Sequence, residues 1–89
     1  MPNPNIKDFV FKNVDIKPNE TIETEKLSGI NFLLVSQKCE VKVPFPDVVN
    51  EYKIFNFDAY DVKKLKSKKC FIKNVSDKTC RAVIICRTE

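Results

Sequence analysis

The sequence predicts an all-β fold, an antiparallel β-sandwich (jelly-roll-like or a small barrel) of about seven to eight short strands. Two observations lead to this prediction. Short runs rich in Val, Ile, Phe, Tyr and Thr recur along the 89 residues, and clusters of Pro, Asn, Asp and Ser separate them. No crossover helix is predicted between the runs, so the strands are expected to pair antiparallel. The candidate strands are Phe9–Ile16, Thr21–Leu27, Ile30–Ser36, Glu40–Phe45, Tyr52–Phe57, Tyr60–Lys64, Cys70–Val75 and Arg81–Arg87.

Side-chain alternation supports individual strands. Glu40–Phe45 places two valines and a phenylalanine on one face and a glutamate and a lysine on the other. Ile30–Val35 is apolar on both faces apart from Asn31, which indicates a central strand covered on both sides or a strand at an interface. Because the chain has one glycine, Asn, Asp and Pro are expected to form the turns, among them Pro18-Asn19 and Asp58-Ala59.

The last two candidate strands are predicted to form a hairpin with Asp77-Lys78 at its tip. In this register Phe71 lies opposite Ile84, and Val75 lies opposite Cys80. The hairpin would close an antiparallel sandwich or barrel at the C-terminal end of the chain.

The four cysteines, at positions 39, 70, 80 and 86, contain no C-x-x-C pair, so a four-thiolate zinc site is not indicated. The hairpin register places Cys70 on the face opposite Cys80 and Cys86. Cys80 and Cys86 would stand about 20 Å apart on one strand, which is beyond disulfide reach. Cys39 could reach one of the others only through a tertiary contact. We therefore expect reduced cysteines that pack as small apolar residues in the core.

Composition excludes several kinds of enzyme. The chain has no histidine, which removes Ser-His-Asp and Cys-His nucleophiles and histidine-ligated metals. A single glycine cannot supply a P-loop or a dinucleotide fingerprint. The carboxylates are scattered, and a thin two-layer fold offers little room for a cleft between two of them. We therefore expect a protein that is not an enzyme and that uses no cofactor and no metal.

No membrane or secretion segment is predicted. The longest apolar run is Ala82–Cys86, far short of the roughly 20 residues that a spanning helix needs. The first five residues have neither the basic flank nor the apolar region of a signal peptide. We expect synthesis in a cytoplasm and no membrane partner.

The net charge of +4 is unevenly distributed. Residues 1–62 carry seven basic and ten acidic side chains, and residues 63–89 carry nine basic and two acidic ones. Three interpretations stay open: solvated lysines that discourage strand addition at a sheet edge, docking on an acidic protein surface, and phosphate contact with nucleic acid. The candidate basic patch comprises Lys63, Lys64, Lys66, Lys68, Lys69 and Arg81.

Two segments are candidates for contact with a partner. Residues 1–8 lack periodicity and contain Pro2 and Pro4, which is typical of an extended arm that orders on a partner. Residues 9–89 form the single predicted domain. Within it, Tyr52–Phe57 is apolar on both faces, which indicates either an interface strand or a strand crossing a closed barrel. The candidate interface residues are Tyr52, Ile54, Phe55, Phe57, Pro2 and Pro4.

The order of strands and turns resembles that of small β-sandwich virion proteins of tailed bacteriophages. The resemblance is carried by a turn and polar strand at Ile16–Thr21, a hydrophobic strand at Gly29–Val35 and a V-x-V strand at Val41–Val43. It ends with a predicted hairpin that combines Ile72–Ser76 with Val83–Ile85. It includes no catalytic motif.

The resemblance implies a non-enzymatic structural protein of a phage particle, a head decoration or head–tail accessory subunit that acts through protein–protein interfaces. It would be made in the host cytoplasm, reside in the virion as a homo-oligomer or in many copies, and contact capsid, portal or head–tail proteins. The alternative is a small β-barrel that binds nucleic acid through Lys63–Lys69. A third class, a small inhibitor or immunity-type binder of an acidic partner, also fits the charge distribution.

Overall fold

The computed structural model describes residues 9–24, 31–45, 47–65 and 69–87. The all-β prediction is confirmed: these residues form eight strands, and they contain no helix that could span a membrane. The strands are β1 (Phe9–Ile16), β2 (Thr21–Glu23), β3 (Asn31–Val35), β4 (Cys39–Pro44), β5 (Tyr52–Phe57), β6 (Val62–Leu65), β7 (Phe71–Asn74) and β8 (Cys80–Arg87).

The strands form two four-stranded antiparallel sheets. The front sheet has the order β1-β8-β3-β6, and the back sheet has the order β2-β7-β4-β5. First strand pairs with last, second with seventh, third with sixth and fourth with fifth. This nested pairing is the connectivity of a jelly roll, in which a long folded ribbon is wrapped into a sandwich.

The core lies between the two sheets. Alternate residues of each strand point inward, so the buried set recurs at every second position. The core is aliphatic apart from one large aromatic ring and four thiols. Its members are Ile16, Leu33, Val35, Cys39, Val41, Phe57, Leu65, Cys70, Ile72, Cys80, Ala82, Ile84 and Cys86.

The predicted hairpin of Cys70–Val75 with Arg81–Arg87 is wrong. β7 pairs with β2 and β4 in the back sheet, whereas β8 pairs with β1 and β3 in the front sheet. The residues between β7 and β8 cross from one sheet to the other instead of turning back. The predicted cysteine orientation fails with the hairpin: Cys70, Cys80 and Cys86 all face the same core.

A buried amide holds this crossover. Asn74, at the end of β7, donates from Nδ2 to the carbonyl oxygens of Ile16 and Lys78 at 2.9 and 2.7 Å. Its Oδ1 accepts hydrogen bonds from the backbone N–H and the hydroxyl of Ser76 at 2.9 and 2.7 Å. Both donors and both acceptor positions of the amide are therefore used. Asn74 ties the end of β1 in the front sheet to the segment that leaves the back sheet.

Polar residues form the turns, as the low glycine content predicts. Asn19 in the Pro18-Asn19 turn has a φ of 64°, in the left-handed region that asparagine tolerates. The turn before β6 is closed by the backbone N–H of Asp61, which donates to the Asp58 carbonyl at 3.1 Å. Tyr60 within that turn also has a positive φ, 66°, which is unusual for a bulky residue.

Candidate protein–protein interface

The outer face of the front sheet carries apolar side chains on all four strands. Its side chains form cross-strand rows, because directly opposed residues in antiparallel strands share a face. One row consists of Phe11, Ile85, Phe32 and Lys64, and the next consists of Asn13, Val83, Leu34 and Val62. We call Phe11, Phe32, Leu34, Val62, Val83 and Ile85 the apolar face.

The apolar face is open to solvent at its edges and half-buried at its centre. Phe11 on β1 is 64% exposed and Val62 on β6 is 57% exposed. The central side chains are half-buried. No element within the described ranges lies over this face.

A pair of charges borders the apolar face at one end. Asp15 and Arg81 are opposed on β1 and β8, and Arg81 Nε donates to Asp15 Oδ1 at 3.2 Å. Both side chains are exposed, so this ion pair contributes little to stability. Lys64, on the edge strand β6, is the last residue of the row that contains Phe11, Ile85 and Phe32. Apolar side chains with charges at their border are the usual composition of a protein–protein contact surface.

The outer face of the back sheet, which we call the polar face, alternates in the ordinary way. One row consists of Thr21, Lys73, Glu40 and Asn56, and the next consists of Glu23, Phe71, Lys42 and Ile54. Charged side chains of opposite sign are thus neighbours within and between rows. This pattern is typical of a solvated antiparallel sheet.

The structure separates the residues that the sequence predicts as an interface. Tyr52 and Ile54 are exposed on the polar face, where the Tyr52 ring meets the edge of the Phe71 ring at a centroid distance of 5.9 Å. Phe57 is buried in the core, and Phe55 packs against the core, half-buried. Pro2 and Pro4, and with them the whole predicted arm, lie outside the described residues.

The predicted basic patch does not form one surface among its described members. Lys63 points inward from β6, with Nζ 5.5 Å from the centroid of the Phe57 ring, whereas Lys64 points outward. Lys69 forms an ion pair with Glu23 of the back sheet, and Arg81 pairs with Asp15 of the front sheet. Lys66 and Lys68 lie outside the described residues.

A shallow cavity of about 350 Å³ opens between the β5 edge of the back sheet and the β6 edge of the front sheet. Two lysines, Lys53 and Lys64, stand among apolar neighbours there. Lys53 is an inward-facing position on an edge strand, opposite Val43. Inward-facing lysines on edge strands oppose the addition of a further strand. Lys53 therefore fits the first interpretation of the basic residues, in which lysines discourage strand addition at a sheet edge. The remaining lining residues are Val43, Pro44, Phe45, Phe55 and Leu65.

All four cysteines are buried and have free thiols. Burial raises the pKa of Cys39 to about 12, and a hydrogen bond and an electrostatic interaction with Cys80 act in the same direction. Burial also raises the pKa of Cys70, against a hydrogen bond from Thr24, and that of Cys86, against the charge of Lys12. Among the described residues, no three His, Cys, Asp or Glu side chains are grouped to hold a metal ion.

The candidate interface residues predicted from the sequence do not include the apolar face. Phe32 and Leu34 lie in Ile30–Val35, for which a strand at an interface is one of two interpretations, whereas Phe11, Val83 and Ile85 are predicted only as strand residues. One signal was available: β3 is apolar at successive positions, and so is β8 from Ala82 to Cys86. When a second layer covers only one face of a sheet, a strand that is apolar on both faces exposes apolar side chains on its other face.

Comparison of the chain with protein-family models, with curated proteins and with solved structures found no match.

Proposed function

We propose that this chain is a non-enzymatic structural subunit of a virus or phage particle, a head decoration or head–tail accessory protein that works by burying the apolar face against a protein partner. The observation that carries the proposal is the set of six adjoining apolar side chains on the outer face of the front sheet, whereas charged side chains stand among the apolar ones on the outer face of the back sheet.

Burial of the apolar face supplies the driving force for association. Removing a Val, Leu, Ile or Phe side chain fully from water stabilises by about 1.5–3 kcal/mol, and a half-buried side chain gains a fraction of that. Six such side chains lie together on one flat surface. The charges of Asp15, Arg81 and Lys64 at the border favour one orientation of the partner.

The fold is compatible with this role without defining it. Jelly rolls occur in viral capsid domains, and also in lectins and cupins, so the connectivity alone does not select a function. The choice of a virion subunit depends on the apolar face together with the resemblance to small phage virion proteins.

The test compares two matched substitutions. Phe11→Lys places a charge on the apolar face, and Ile54→Lys places the same charge on the polar face, at residues that are 64% and 52% exposed. Light scattering after size exclusion over a range of concentrations measures self-association. Mass spectrometry of purified particles, released by cells that carry the gene, measures incorporation of each variant.

We expect Phe11→Lys to weaken association or incorporation at least tenfold and Ile54→Lys to leave both nearly unchanged. If Ile54→Lys is the damaging substitution, the partner contacts the Tyr52–Phe57 strand instead of the apolar face. If the wild-type chain is a strict monomer and never enters a particle, the proposal is wrong.

The nucleic-acid alternative is tested by a separate measurement, the binding of an oligonucleotide. It requires binding to an oligonucleotide that weakens steeply as salt rises and that is lost in Lys63→Gln and Lys64→Gln. Because Lys69 and Arg81 are each paired with a carboxylate, on different sheets, no structural observation favours this alternative over the first.

A further inference from the structure

We propose that Cys39 and Cys80 are a latent inter-sheet disulfide, two thiols that the fold positions to be oxidised to a single covalent bond across the core. Cys39 is the first residue of β4 in the back sheet, and Cys80 is the first residue of β8 in the front sheet. Their sulfur atoms are 3.4 Å apart.

The separation of the sulfurs is within reach of a bond. An S–S bond is about 2.05 Å long, so each sulfur needs to move by roughly 0.7 Å, which a modest side-chain rotation supplies. Disulfides that join the two sheets of a β-sandwich are a known geometry, as in antibody domains. The Cys70 thiol does not share this arrangement, since it accepts a hydrogen bond from the Thr24 hydroxyl at 3.8 Å.

Hydrogen bonds fix the backbone on both sides of the sulfur pair. Next to Cys39, the carbonyl of Lys38 accepts from the backbone N–H of Val75 at 3.0 Å. Next to Cys80, the Arg81 backbone N–H donates to Ser36 Oγ at 2.7 Å, and its carbonyl accepts from the Ser36 N–H at 3.0 Å. The β3–β4 and β7–β8 connections, which both cross between the sheets, are therefore tied together where the thiols meet.

The pair is suited to oxidation and not to metal binding. A structural zinc site needs four ligands, and no third Cys, His, Asp or Glu joins this pair among the described residues. With a small-molecule disulfide as oxidant, one thiol loses its proton and attacks, releasing one small thiol and leaving a mixed disulfide. The second cysteine then loses its proton and attacks that mixed disulfide, releasing the second small thiol. The two cysteines lose two electrons and two protons, and the small-molecule disulfide gains both.

Burial makes this reaction slow in the folded chain, since only the thiolate attacks and the pKa of Cys39 is raised to about 12. The redox state of the surroundings decides the outcome: the pair stays a dithiol in a reducing compartment and closes the bond in an oxidising one. In a particle that leaves its host, closure would follow release. That timing rests on the proposed function, whereas closure itself does not.

The experiment uses the whole chain. Folded protein, and protein refolded from denaturant, are each equilibrated with oxidised glutathione. Intact mass and peptide mapping locate any bond, and thermal unfolding compares the oxidised and reduced forms. Cys80→Ala removes the proposed bond, and Cys70→Ala is the matched control that removes another buried thiol.

We expect a loss of two hydrogen atoms, a Cys39–Cys80 link in the wild type and in Cys70→Ala, and none in Cys80→Ala. Because the bond closes a loop between residues 41 positions apart, Tm should rise by roughly 10 °C. Four persistent thiols after refolding in the oxidant would overturn the proposal. A dominant link to Cys70 or Cys86, or a lower Tm in the oxidised form, would overturn it equally. The wild-type measurements decide the matter even if a variant fails to fold.

Discussion

In the middle of the polar face, Lys73 lies between Thr21 and Glu40, whereas the middle of the apolar face has Val83 between Asn13 and Leu34. Both faces belong to antiparallel sheets of four strands that cover the same core. The back sheet follows the usual alternation, apolar inward and polar outward. The front sheet breaks it in its two central strands, β3 and β8. The outer face of the back sheet therefore has the pattern of a solvated sheet, and under the proposed function the outer face of the front sheet is the one that contacts a protein partner.

The comparison of the two faces requires that the two sheets stay packed. The largest expected effect on stability is therefore that of substituting Asn74, which connects the sheets. Asn74→Ala leaves the carbonyls of Ile16 and Lys78 and the Ser76 N–H without their buried partner. We expect a loss of about 3 kcal/mol in the free energy of unfolding. Urea unfolding measures it. Asn56→Ala, at an exposed position on the polar face, should cost less than about 0.5 kcal/mol. Equal costs would contradict this assignment.

An exchange of character between the faces tests the comparison directly. Val83→Lys puts a charge at the centre of the apolar face, and Lys73→Val removes one from the polar face. A dye whose fluorescence rises on apolar surfaces should respond several-fold less to the first variant than to the second, because exposed apolar area binds it. Equal signals from both variants would show that the two faces present the same surface.

The core between the sheets differs from both outer faces in its response to pH. The Cys39 thiol has an ordinary pKa of 9.0 and a folded value of about 12. The neutral thiol is therefore favoured by folding: the stabilisation is complete below pH 9 and is lost as pH rises toward 12. In reductant, this thiol should make the free energy of unfolding fall as pH rises between about 9 and 12, and urea unfolding over this range measures the slope.

Cys39→Ala is the control for that slope. The variant has a lower stability at every pH because it loses packing, but its stability should fall less steeply above pH 9 than that of the wild type. The raised pKa values of Cys70 and Cys86 preserve part of the slope in the variant. Identical slopes in the two proteins would mean that Cys39 ionises as readily in the folded chain as in the unfolded one.

The smallest effect is expected for the charges of the polar face. Glu40→Gln and Lys42→Gln each remove one charge from a solvated row, and each should change the free energy of unfolding by less than about 0.5 kcal/mol. Thermal unfolding at low and high salt measures this. A change above 1 kcal/mol would indicate that the polar face carries a structural ion network and is more than a solvated surface.

The sequence predicted strands well because a strand is a local pattern. Phe9–Ile16 and Tyr52–Phe57 have the predicted bounds, and the turns at Pro18-Asn19 and Asp58-Ala59 are present. The hairpin at the C-terminus failed because alternation does not reveal which strand lies beside which. A segment of a few polar residues serves equally to turn back or to cross to the other sheet, and the buried Asn74 amide favours the crossing.

The candidate interface was harder to predict for the same reason. Tyr52–Phe57 is apolar on both faces, but β5 is an edge strand whose inner residues, Phe55 and Phe57, are absorbed by the core. Ile30–Val35 carried the equivalent signal on a central strand, where the outer residues join those of β8. Strand order decides between these cases, and strand order is set by contacts between distant parts of the chain.

The nested pairing of the strands also determines when the molecule can fold during its synthesis. β1 has β8 as its sheet neighbour, so β1 cannot pair until β8 has left the ribosome. β2 likewise cannot pair until β7 has been synthesised. The two paired strands that lie closest in the sequence are β4 and β5. Folding should therefore begin with β4 and β5 and finish with the pairing of β1 and β8, after β8 has been synthesised. Such long-range pairing is typical of domains that fold in milliseconds to seconds.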